Sequence, residues 1–418
     1  MSTRIRRSGL VHYAPEKAWN GLICFSALDR KTHLITLDGK EVHRWDYLGL
    51  PGNIIDPAVN GGRIGHVLVQ YEVNEDDRIG IFGNRTVAEL DWNGDVVWTW
   101  GGEQAPGGMA RQNHDWLRLP NGNTLLLVAR PAIVPELSDH EIGDQGLLEV
   151  TPDGSIVWSW MAGDHIGEFG LSEAGLDYLR GILAHGEKDP WGYLELNNAQ
   201  VLGPNKWYDE GNANFHPDNI IVDARKANFI LIIEKTTGKI VWRAGPYGDQ
   251  TENPDSRIVN KRLPRPLDQT AGQHNVQMIG KGLPGAGNLL MLDNQGGGGY
   301  PPVALGVYAG SRIIEVNPVT REIVWQYTAE DSGNPVWTFF TSFVGSVQRL
   351  PNGNTLINEG MNGRIFQITA TGEIVWEYIN PYPGYFESNG KMIENPMVYR
   401  AQAVPFDWVP EGSAHYDN

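Results

Sequence analysis

A short phrase recurs six times along the chain and constrains its fold more than any other feature. Each copy joins a tight turn to an aliphatic pair and places an aromatic residue at a fixed offset. The copies are DGKEVHRW, NGDVVWTW, DGSIVWSW, TGKIVWRA, TREIVWQY and TGEIVWEY, with that offset at His43, Trp98, Trp158, Trp242, Trp325 and Trp376. Successive copies lie between 51 and 84 residues apart, so the phrase stays constant while the connections carry insertions. This combination is typical of the blades of a β-propeller.

The repeat predicts an all-β fold, a six-bladed β-propeller that occupies residues 1–418 as a single domain. The alternating segment 396–405 is expected to supply the innermost strand of the first blade. The N-terminal and C-terminal strands would then close the ring within one blade. The aromatic residue of each phrase is expected to lie in the core between blades.

The long connections are predicted to gather on one side of the disc. In an antiparallel blade, the connections between second and third strands emerge on the same side as those between blades. We call this side the loop-rich face and the opposite side the turn face. The long segments of the loop-rich face are 131–145, 161–193, 246–273, 295–310 and 328–344. Turns on the other face are short except at 199–215 and 279–287. Such a build-up of loops typically frames a binding site.

Two further expectations follow from this orientation. Segment 161–193 shows helical spacing of apolar residues after a candidate cap at Ser172, and it is expected to form a short helix within a lid-like insertion. His66 and His216 would begin second strands on the turn face, far from the loops. Both are therefore expected to be structural.

The composition restricts the classes of partner. Acidic residues outnumber basic ones by 50 to 33, giving a formal charge of −17, so no nucleic-acid partner is expected. No apolar run is long enough to span a bilayer, so no membrane partner is expected. No secretory signal is recognised, and a cytoplasmic location is therefore predicted. Cys24 is the single cysteine, which excludes an intrachain disulfide. The expected partner is a small-molecule substrate, and the sequence does not indicate an oligomeric state.

Polar residues are predicted to ring the mouth of the central channel on the loop-rich face. His114 in NHDW and His274 in GQHN each begin the first strand of a blade there. Arg400, in the closing segment, is expected to approach the same channel. The second strands return to this face at Tyr71, Arg130, Arg225, Asn294 and Glu359. Two arginines at the same repeat position in an acidic protein indicate a site for an anion.

These motifs resemble those of the bacterial arylsulfate sulfotransferase family over nearly the whole chain. In order, they are HDW with LPNGNTLLL, then FHPDNIIVDARKANFILIIEKTTGKIVW, then QHNVQMI with GNLLMLDNQGGGG. The resemblance implies a six-bladed propeller that moves a sulfuryl group from a phenolic sulfate to a phenol by way of a sulfohistidine. It also implies that His274 is the nucleophile, His114 a second pocket histidine, and Arg225 the arginine that holds the sulfuryl oxygens.

One position departs from the family pattern. Where the family has a histidine, one residue, then an asparagine, this chain reads ELN, so Glu195 replaces the histidine and Asn197 keeps the asparagine. A carboxylate there would repel a sulfate ester, yet it would also serve as a general base. No cofactor is expected for sulfuryl transfer, but His114, Glu195 and His274 would together suit a divalent metal.

Three functions are therefore considered. The first is an arylsulfotransferase-like transferase for a small anionic or phenolic aromatic substrate, with His274 as nucleophile, His114 and Arg225 as charge stabilisers, and Glu195 as base. For this function, the other residues at the mouth are expected to bind the substrate, and they are Asn197, Arg130, Tyr71, Asn294 and Arg400. The alternative is a metal-dependent or carboxylate-based lyase, hydratase or hydrolase on the same scaffold. The third is a non-catalytic binding propeller.

Overall fold

The computed structural model describes residues 8–75, 80–105, 111–186, 191–246, 270–302 and 310–413, and β-strands dominate these ranges. The strands are β1 (Gly9–Tyr13), β2 (Leu22–Ala27), β3 (Lys31–Thr36), β4 (Glu41–Trp45), β5 (Asn53–Ile54), β6 (Val67–Val73), β7 (Asn84–Leu90), β8 (Val96–Gly101), β9 (Arg111–Arg118), β10 (Thr124–Val134), β11 (Ser138–Val150), β12 (Ile156–Met161), β13 (Leu196–Val201), β14 (Ile220–Ala224), β15 (Phe229–Ile233), β16 (Ile240–Ala244), β17 (His274–Met278), β18 (Leu289–Asp293), β19 (Arg312–Val316), β20 (Ile323–Tyr327), β21 (Ser346–Arg349), β22 (Thr355–Glu359), β23 (Arg364–Ile368), β24 (Ile374–Ile379), β25 (Gly384–Ser388), β26 (Lys391–Asn395) and β27 (Val398–Val404). The α-helices are α1 (Glu173–Leu183) and α2 (Lys206–Asp209).

Six antiparallel sheets form a ring, which confirms the predicted six-bladed propeller. From the channel outward, blade one is β27-β2-β3-β4, blade two β5 to β8, blade three β9 to β12, blade four β13 to β16, blade five β17 to β20 and blade six β21 to β24. Strand β27 pairs with β2 from Leu22↔Val404 to Ala27↔Val398, which confirms the predicted closure in one blade. Two features were not predicted: β1 adds a fifth, outermost strand to blade six, and β25 and β26 form a separate hairpin.

The cores lie between neighbouring blades. In the cluster that joins blades three and four, Leu127 and Leu147 pack with Val222 and Leu231, and all four side chains are buried. Each blade presents alternate residues to the blade on either side, because side chains alternate across a strand. The ring is thus stabilised by face-to-face packing of its sheets.

The tryptophan of the repeated phrase links each blade to the next. Its indole N–H donates to a backbone carbonyl in an outer turn of the following blade: Trp98 to Pro152 (3.1 Å), Trp158 to Lys235 (2.8 Å), Trp242 to Pro318 (2.8 Å), Trp325 to Ala370 (2.9 Å) and Trp376 to Leu37 (2.6 Å). In blade one this position is His43, and the link is made instead by Trp45, whose indole N–H donates to the Asp91 backbone carbonyl at 2.8 Å. The expectation of core burial is only partly right, because Trp98, Trp158 and Trp325 remain partly exposed at the edges of the blades.

The loop boundaries differ from the predicted ones in three places. Segment 131–145 is mostly strand, since β10 and β11 continue pairing out to Val134↔Ser138. On the turn face, the connection 55–66 of blade two is also long, and that of blade four is 202–219 rather than 199–215. Residues 247–269 of segment 246–273 and residues 303–309 of segment 295–310 fall outside the described residues.

The helix predicted in segment 161–193 is confirmed as α1. The Ser172 hydroxyl caps it by accepting from the Gly175 N–H at 3.1 Å, and Leu179 and Leu183 are buried beneath it. The Ser138 hydroxyl donates to the Leu183 carbonyl at 3.0 Å, which ties the helix to the β10–β11 hairpin. Its role as a lid stays a prediction. Within the described ranges, neither helix has the length and apolar character that crossing a bilayer requires.

Candidate functional site

β-Bulges interrupt the inner strands of blades one, three, four and five near the loop-rich face. The pairing register shifts around Tyr399 in β27, His114 in β9, Asn197 in β13 and Asn275 in β17. His114 and Asn275 adopt left-handed backbone conformations, with φ of 69° and 56°. A bulge inserts an extra residue and re-aims the side chains beside it, which is common next to functional sites.

Three hydrogen bonds between neighbouring blades show which residues occupy equivalent positions on the inner strands. On three inner strands, a polar side chain accepts from a backbone N–H of the next blade. The bonds are Ala199 N–H to Asp115 Oδ2, Val347 N–H to Asn275 Oδ1 and Ala401 N–H to Ser346 Oγ, each 3.0 Å. Ser346, an acceptor, directly precedes Val347, a donor, so Asn198 and Arg400, which directly precede the other two donors, hold the same position as Asp115, Asn275 and Ser346. The residues one step nearer the loop-rich face are therefore His114, Asn197, His274, Gly345 and Tyr399. Glu195 lies two residues ahead of this position, which Asn197 holds in blade four.

His274 is buried and both of its ring nitrogens are engaged. Nδ1 lies 2.7 Å from Asn294 Oδ1 and 3.2 Å from the Gly272 carbonyl oxygen. Both oxygens are acceptors, so Nδ1 carries the proton and Nε2 the lone pair. The Val344 N–H donates to Nε2 at 3.2 Å. Burial, together with the nearby charge of Arg225, lowers the pKa of His274 to about 3. The imidazole is therefore neutral at physiological pH.

His114 provides a second neutral imidazole at the mouth. Burial and the proximity of His274 lower its pKa to about 3. Its ring lies edge-on to Trp191, with centroids 4.9 Å apart, and 6.0 Å from the ring of Tyr399. The Tyr399 hydroxyl donates to the backbone carbonyl of Asn197 at 2.9 Å. Blades one, three and four are thus joined directly beside the channel mouth.

Arg225 forms an ion pair with Glu195. Arg225 Nη1 donates to Glu195 Oε2 at 3.0 Å, and Lys226 Nζ lies 3.6 Å from the same oxygen. The Arg225 guanidinium also lies 5.8 Å from the centroid of the partly exposed Phe343 ring. The arginine that the resemblance assigns to the sulfuryl oxygens is therefore already in contact with the carboxylate that departs from the family pattern.

Asn197 and Asn294 are both buried beside the histidines. Asn197 Nδ2 donates to the Gln273 carbonyl at 3.1 Å, and its Oδ1 is buried with no hydrogen-bond partner among the described residues. Asn294 is fully buried and bonds to His274. These two predicted residues are brought together with His114, His274 and Arg225.

Arg400 lies in the channel wall and is paired with Asp115. Its Nη1 lies 2.8 Å from Asp115 Oδ1 and its Nη2 3.3 Å from Oδ2, and both side chains are buried. Asp223 lies nearby, and burial raises the pKa of its carboxyl well above the usual range. The expected approach of Arg400 to the channel is found, but its terminal nitrogens are engaged in holding blades together.

The structure pairs Tyr71 and Arg130 with residues other than the histidines. The Tyr71 ring packs against Tyr47, with centroids 5.5 Å apart, at the core between blades one and two. Arg130 lies within β10 opposite Asp144, because that strand extends further than predicted. The substrate-binding role expected of these two residues gains no geometric support.

The remaining predicted positions have local partners. Glu359 is buried and pairs with Arg364 at 3.0 Å. His66 lies 2.7 Å from Glu89 Oε1, and His216 is partly exposed, with its Nδ1 accepting from the Asp218 N–H at 3.2 Å. The last two fit the structural roles expected of them.

Sequence reasoning missed Tyr399 and Val344. Tyr399 precedes Arg400 in the predicted closing strand, and aligning that strand with the HDW and QHN motifs would have placed it in the ring. Val344 contributes only its backbone N–H, for which a sequence carries no signal. Across the described ranges, no three side chains of His, Cys, Asp or Glu form a group that could hold a metal ion.

Comparison with known proteins gives one family match. The model of the family described as Arylsulfotransferase (ASST) matches residues 65–379. No curated protein matches the chain. Similar solved structures include a protein of unknown function from Bacteroides caccae, 12% identical, covering 92% of this chain and 98% of its own with a TM-score of 0.49. Another is virginiamycin B lyase from Staphylococcus aureus, 11% identical, covering 95% and 99% with a TM-score of 0.40.

Proposed function

Because the chain belongs to the arylsulfotransferase family, we propose that it transfers a sulfuryl group from an aryl sulfate to a phenol, with His274 as the nucleophile. The observation that carries this proposal is a buried, neutral imidazole with its proton on Nδ1 and its lone pair on Nε2. A bond forms from Nε2 to sulfur as the bond from sulfur to the aryl oxygen breaks, and the phenolate leaves. The oxygen of a second phenol then attacks sulfur, loses its proton, and releases Nε2 with its electron pair.

The surrounding groups suit the charge of this reaction. Negative charge on the sulfuryl oxygens would be stabilised by N–H donors and cations that are already in place. Arg225 donates a hydrogen bond from Nη1 to Glu195, and its guanidinium has further N–H groups that would donate to a sulfuryl oxygen. Lys226 adds a second positive charge beside them. In this proposal Glu195 accepts the proton of the acceptor phenol as that phenol attacks.

The direct test is incubation with 4-nitrophenyl sulfate and phenol. We expect release of 4-nitrophenol together with formation of phenyl sulfate. Rapid quenching without the phenol is expected to leave an enzyme heavier by one SO₃ group, located by peptide mass spectrometry on His274. Absence of both 4-nitrophenol release and the mass increase, across a set of aryl sulfates, would rule out the proposal.

The pH dependence of kcat/KM for the aryl sulfate provides a further prediction. An imidazole with an ordinary pKa near 6.5 would be about 97% protonated at pH 5 and would lose its nucleophilicity. The pKa of His274 is lowered to about 3, so its lone pair persists far below neutrality. Because the sulfate ester also stays ionised, kcat/KM is expected to remain level between about pH 8 and pH 5. An acid limb near pH 6.5 in a protein that circular dichroism shows to be folded would contradict the prediction.

A carboxylate-based lyase or hydrolase remains the second candidate, favoured by the contact between Glu195 and Arg225. The substitution Glu195→Gln distinguishes sulfuryl transfer from a carboxylate-based lyase or hydrolase reaction. For sulfuryl transfer, we expect the first 4-nitrophenol to be released at near the wild-type rate, while transfer to phenol slows by about a hundred-fold because the base is lost. The sulfated enzyme should therefore accumulate, as measured by quenched-flow mass spectrometry.

Glu173→Gln, an exposed substitution in the first turn of α1, serves as the matched control and should leave both steps unchanged. Loss of the first step in Glu195→Gln, with the fold intact, would instead favour the carboxylate-based reaction.

A further inference from the structure

We propose that Asn294 is a positioning residue that fixes the tautomer of His274, and not the substrate ligand that its place in the sequence suggested. The inference rests on the proposed role of His274. Asn294 directly follows β18 and its side chain is fully buried. Its Oδ1 accepts from His274 Nδ1 at 2.7 Å, the shortest contact that the imidazole makes within the described residues.

The orientation of the Asn294 amide is determined by two backbone carbonyls. Its Nδ2 donates to the Thr341 oxygen at 2.8 Å and to the Val344 oxygen at 3.0 Å. Carbonyl oxygens only accept, so a flipped amide would place three acceptors together. Oδ1 must therefore face His274, and an acceptor beside Nδ1 holds the proton there. The lone pair is left on Nε2, the nitrogen that would attack sulfur.

The loop that orients Asn294 also contacts the other nitrogen of His274. The Val344 N–H donates to Nε2, and Val344 has a φ of 54°, which is unfavourable for a β-branched residue. Thr341 stabilises this conformation, because its hydroxyl donates to the Phe343 carbonyl at 2.7 Å. Asn294, His274 and residues 341–344 thus form one hydrogen-bonded unit. In the transfer step, the Val344 N–H would have a sulfuryl oxygen as its next acceptor.

The kinetic test compares Asn294→Leu with Asn294→Asp. Leucine has a similar volume but offers no acceptor, so kcat is expected to fall about ten- to a hundred-fold while KM changes little. Aspartate restores an acceptor for Nδ1–H and is expected to recover most of kcat. A carboxylate beside Nδ1 also favours the imidazolium, so Asn294→Asp should introduce an acid limb in kcat/KM that the wild type lacks.

A second measurement reads the tautomer without reference to activity. In ¹⁵N NMR of the histidine side chains, with the His274 signals identified by their absence in His274→Ala, the wild type should show a protonated Nδ1. Asn294→Leu removes the nearer acceptor of Nδ1 and the bonds that hold the Thr341 and Val344 carbonyls, and leaves the Gly272 carbonyl at 3.2 Å as the remaining acceptor. This variant should therefore show a fraction of the tautomer with the proton on Nε2 beside the original one. The matched control is Asn358→Leu, since Asn358 is another buried asparagine that donates to a backbone carbonyl, that of Val398, at 2.9 Å. Its His274 signals should match the wild type.

The outcomes separate the alternatives. Wild-type kcat and an unchanged tautomer in Asn294→Leu would overturn the inference, and so would a raised KM with unchanged kcat, which is the mark of a substrate ligand. If the wild-type protein releases no phenol from any aryl sulfate, the proposed function fails. The NMR comparison still decides whether Asn294 fixes the imidazole.

Discussion

Replacing His274 with alanine is expected to lower kcat/KM for aryl sulfate turnover by at least about a thousand-fold, because the group that forms the covalent intermediate is lost. The substitution removes a buried ring whose Nδ1 is bonded to Asn294 and whose Nε2 accepts from Val344. It also leaves a cavity beside the channel mouth. Added imidazole is therefore expected to restore part of the 4-nitrophenol release, measured spectrophotometrically under steady-state conditions.

His216→Ala is the matched control for this prediction. His216 is partly exposed on the turn face and should be replaceable with activity kept within about two-fold, since exposed substitutions rarely perturb a distant site. Substantial turnover by His274→Ala, with the protein folded and no imidazole added, would place the nucleophile elsewhere.

Replacing Asp115 with alanine is expected to lower the free energy of unfolding by about 3–5 kcal/mol, which is the usual cost of removing one partner of a buried ion pair. Arg400, a buried charge, would lose its main counter-charge. The Asp115 carboxylate also accepts from Asn53 Nδ2 at 3.1 Å, Ala199 N–H at 3.0 Å and Gln200 Nε2 at 3.2 Å. One side chain therefore holds blades one, two, three and four together. Urea unfolding followed by tryptophan fluorescence measures the change.

Asp46→Ala gives the comparison for a surface carboxylate. Asp46 is largely exposed and lies 3.2 Å from Lys31, so its loss should change the unfolding free energy by less than about 0.5 kcal/mol. Asp115→Asn retains one acceptor oxygen, so its loss of unfolding free energy should lie between those of Asp46→Ala and Asp115→Ala. This variant keeps the comparison informative if Asp115→Ala does not fold. A value for Asp115→Ala close to that for Asp46→Ala would show that the buried network is dispensable.

The blade count and the ring closure were predictable because they depend on local patterns. A tight turn and alternating strands recur in every blade, with an aromatic residue at a fixed offset that is tryptophan in five blades and His43 in blade one. The segment 396–405 also alternates as a strand should. The edge strand β1 was missed, since the five residues GLVHY are too few to carry a strong alternating signal. The extent of β10 and β11 was missed because continued pairing depends on the partner strand, not on one segment alone.

The site was predictable to the level of which strand ends meet. The sequence placed His114, His274, Arg225 and Asn294 at one mouth, and the structure brings these four together. The sequence could not reveal how these side chains pair with one another. The contact between Glu195 and Arg225 depends on where a bulged strand begins. The contact between Asn294 and His274 depends on the loop that connects blade five to blade six. Such pairings are set by tertiary geometry, which no spacing rule records.

The closing strand determines when, during translation, the ring of blades closes. Strand β27 leaves the ribosome after the other strands of the ring, so β2 presents an unpaired inner edge until β27 is made. Arg400 follows its partner Asp115 by 285 residues, so that carboxylate lacks its main counter-charge while the rest of blade three and blades four to six are synthesised. The mouth also lacks Tyr399 until this moment. A nascent chain therefore carries the histidines long before it has the wall that surrounds them.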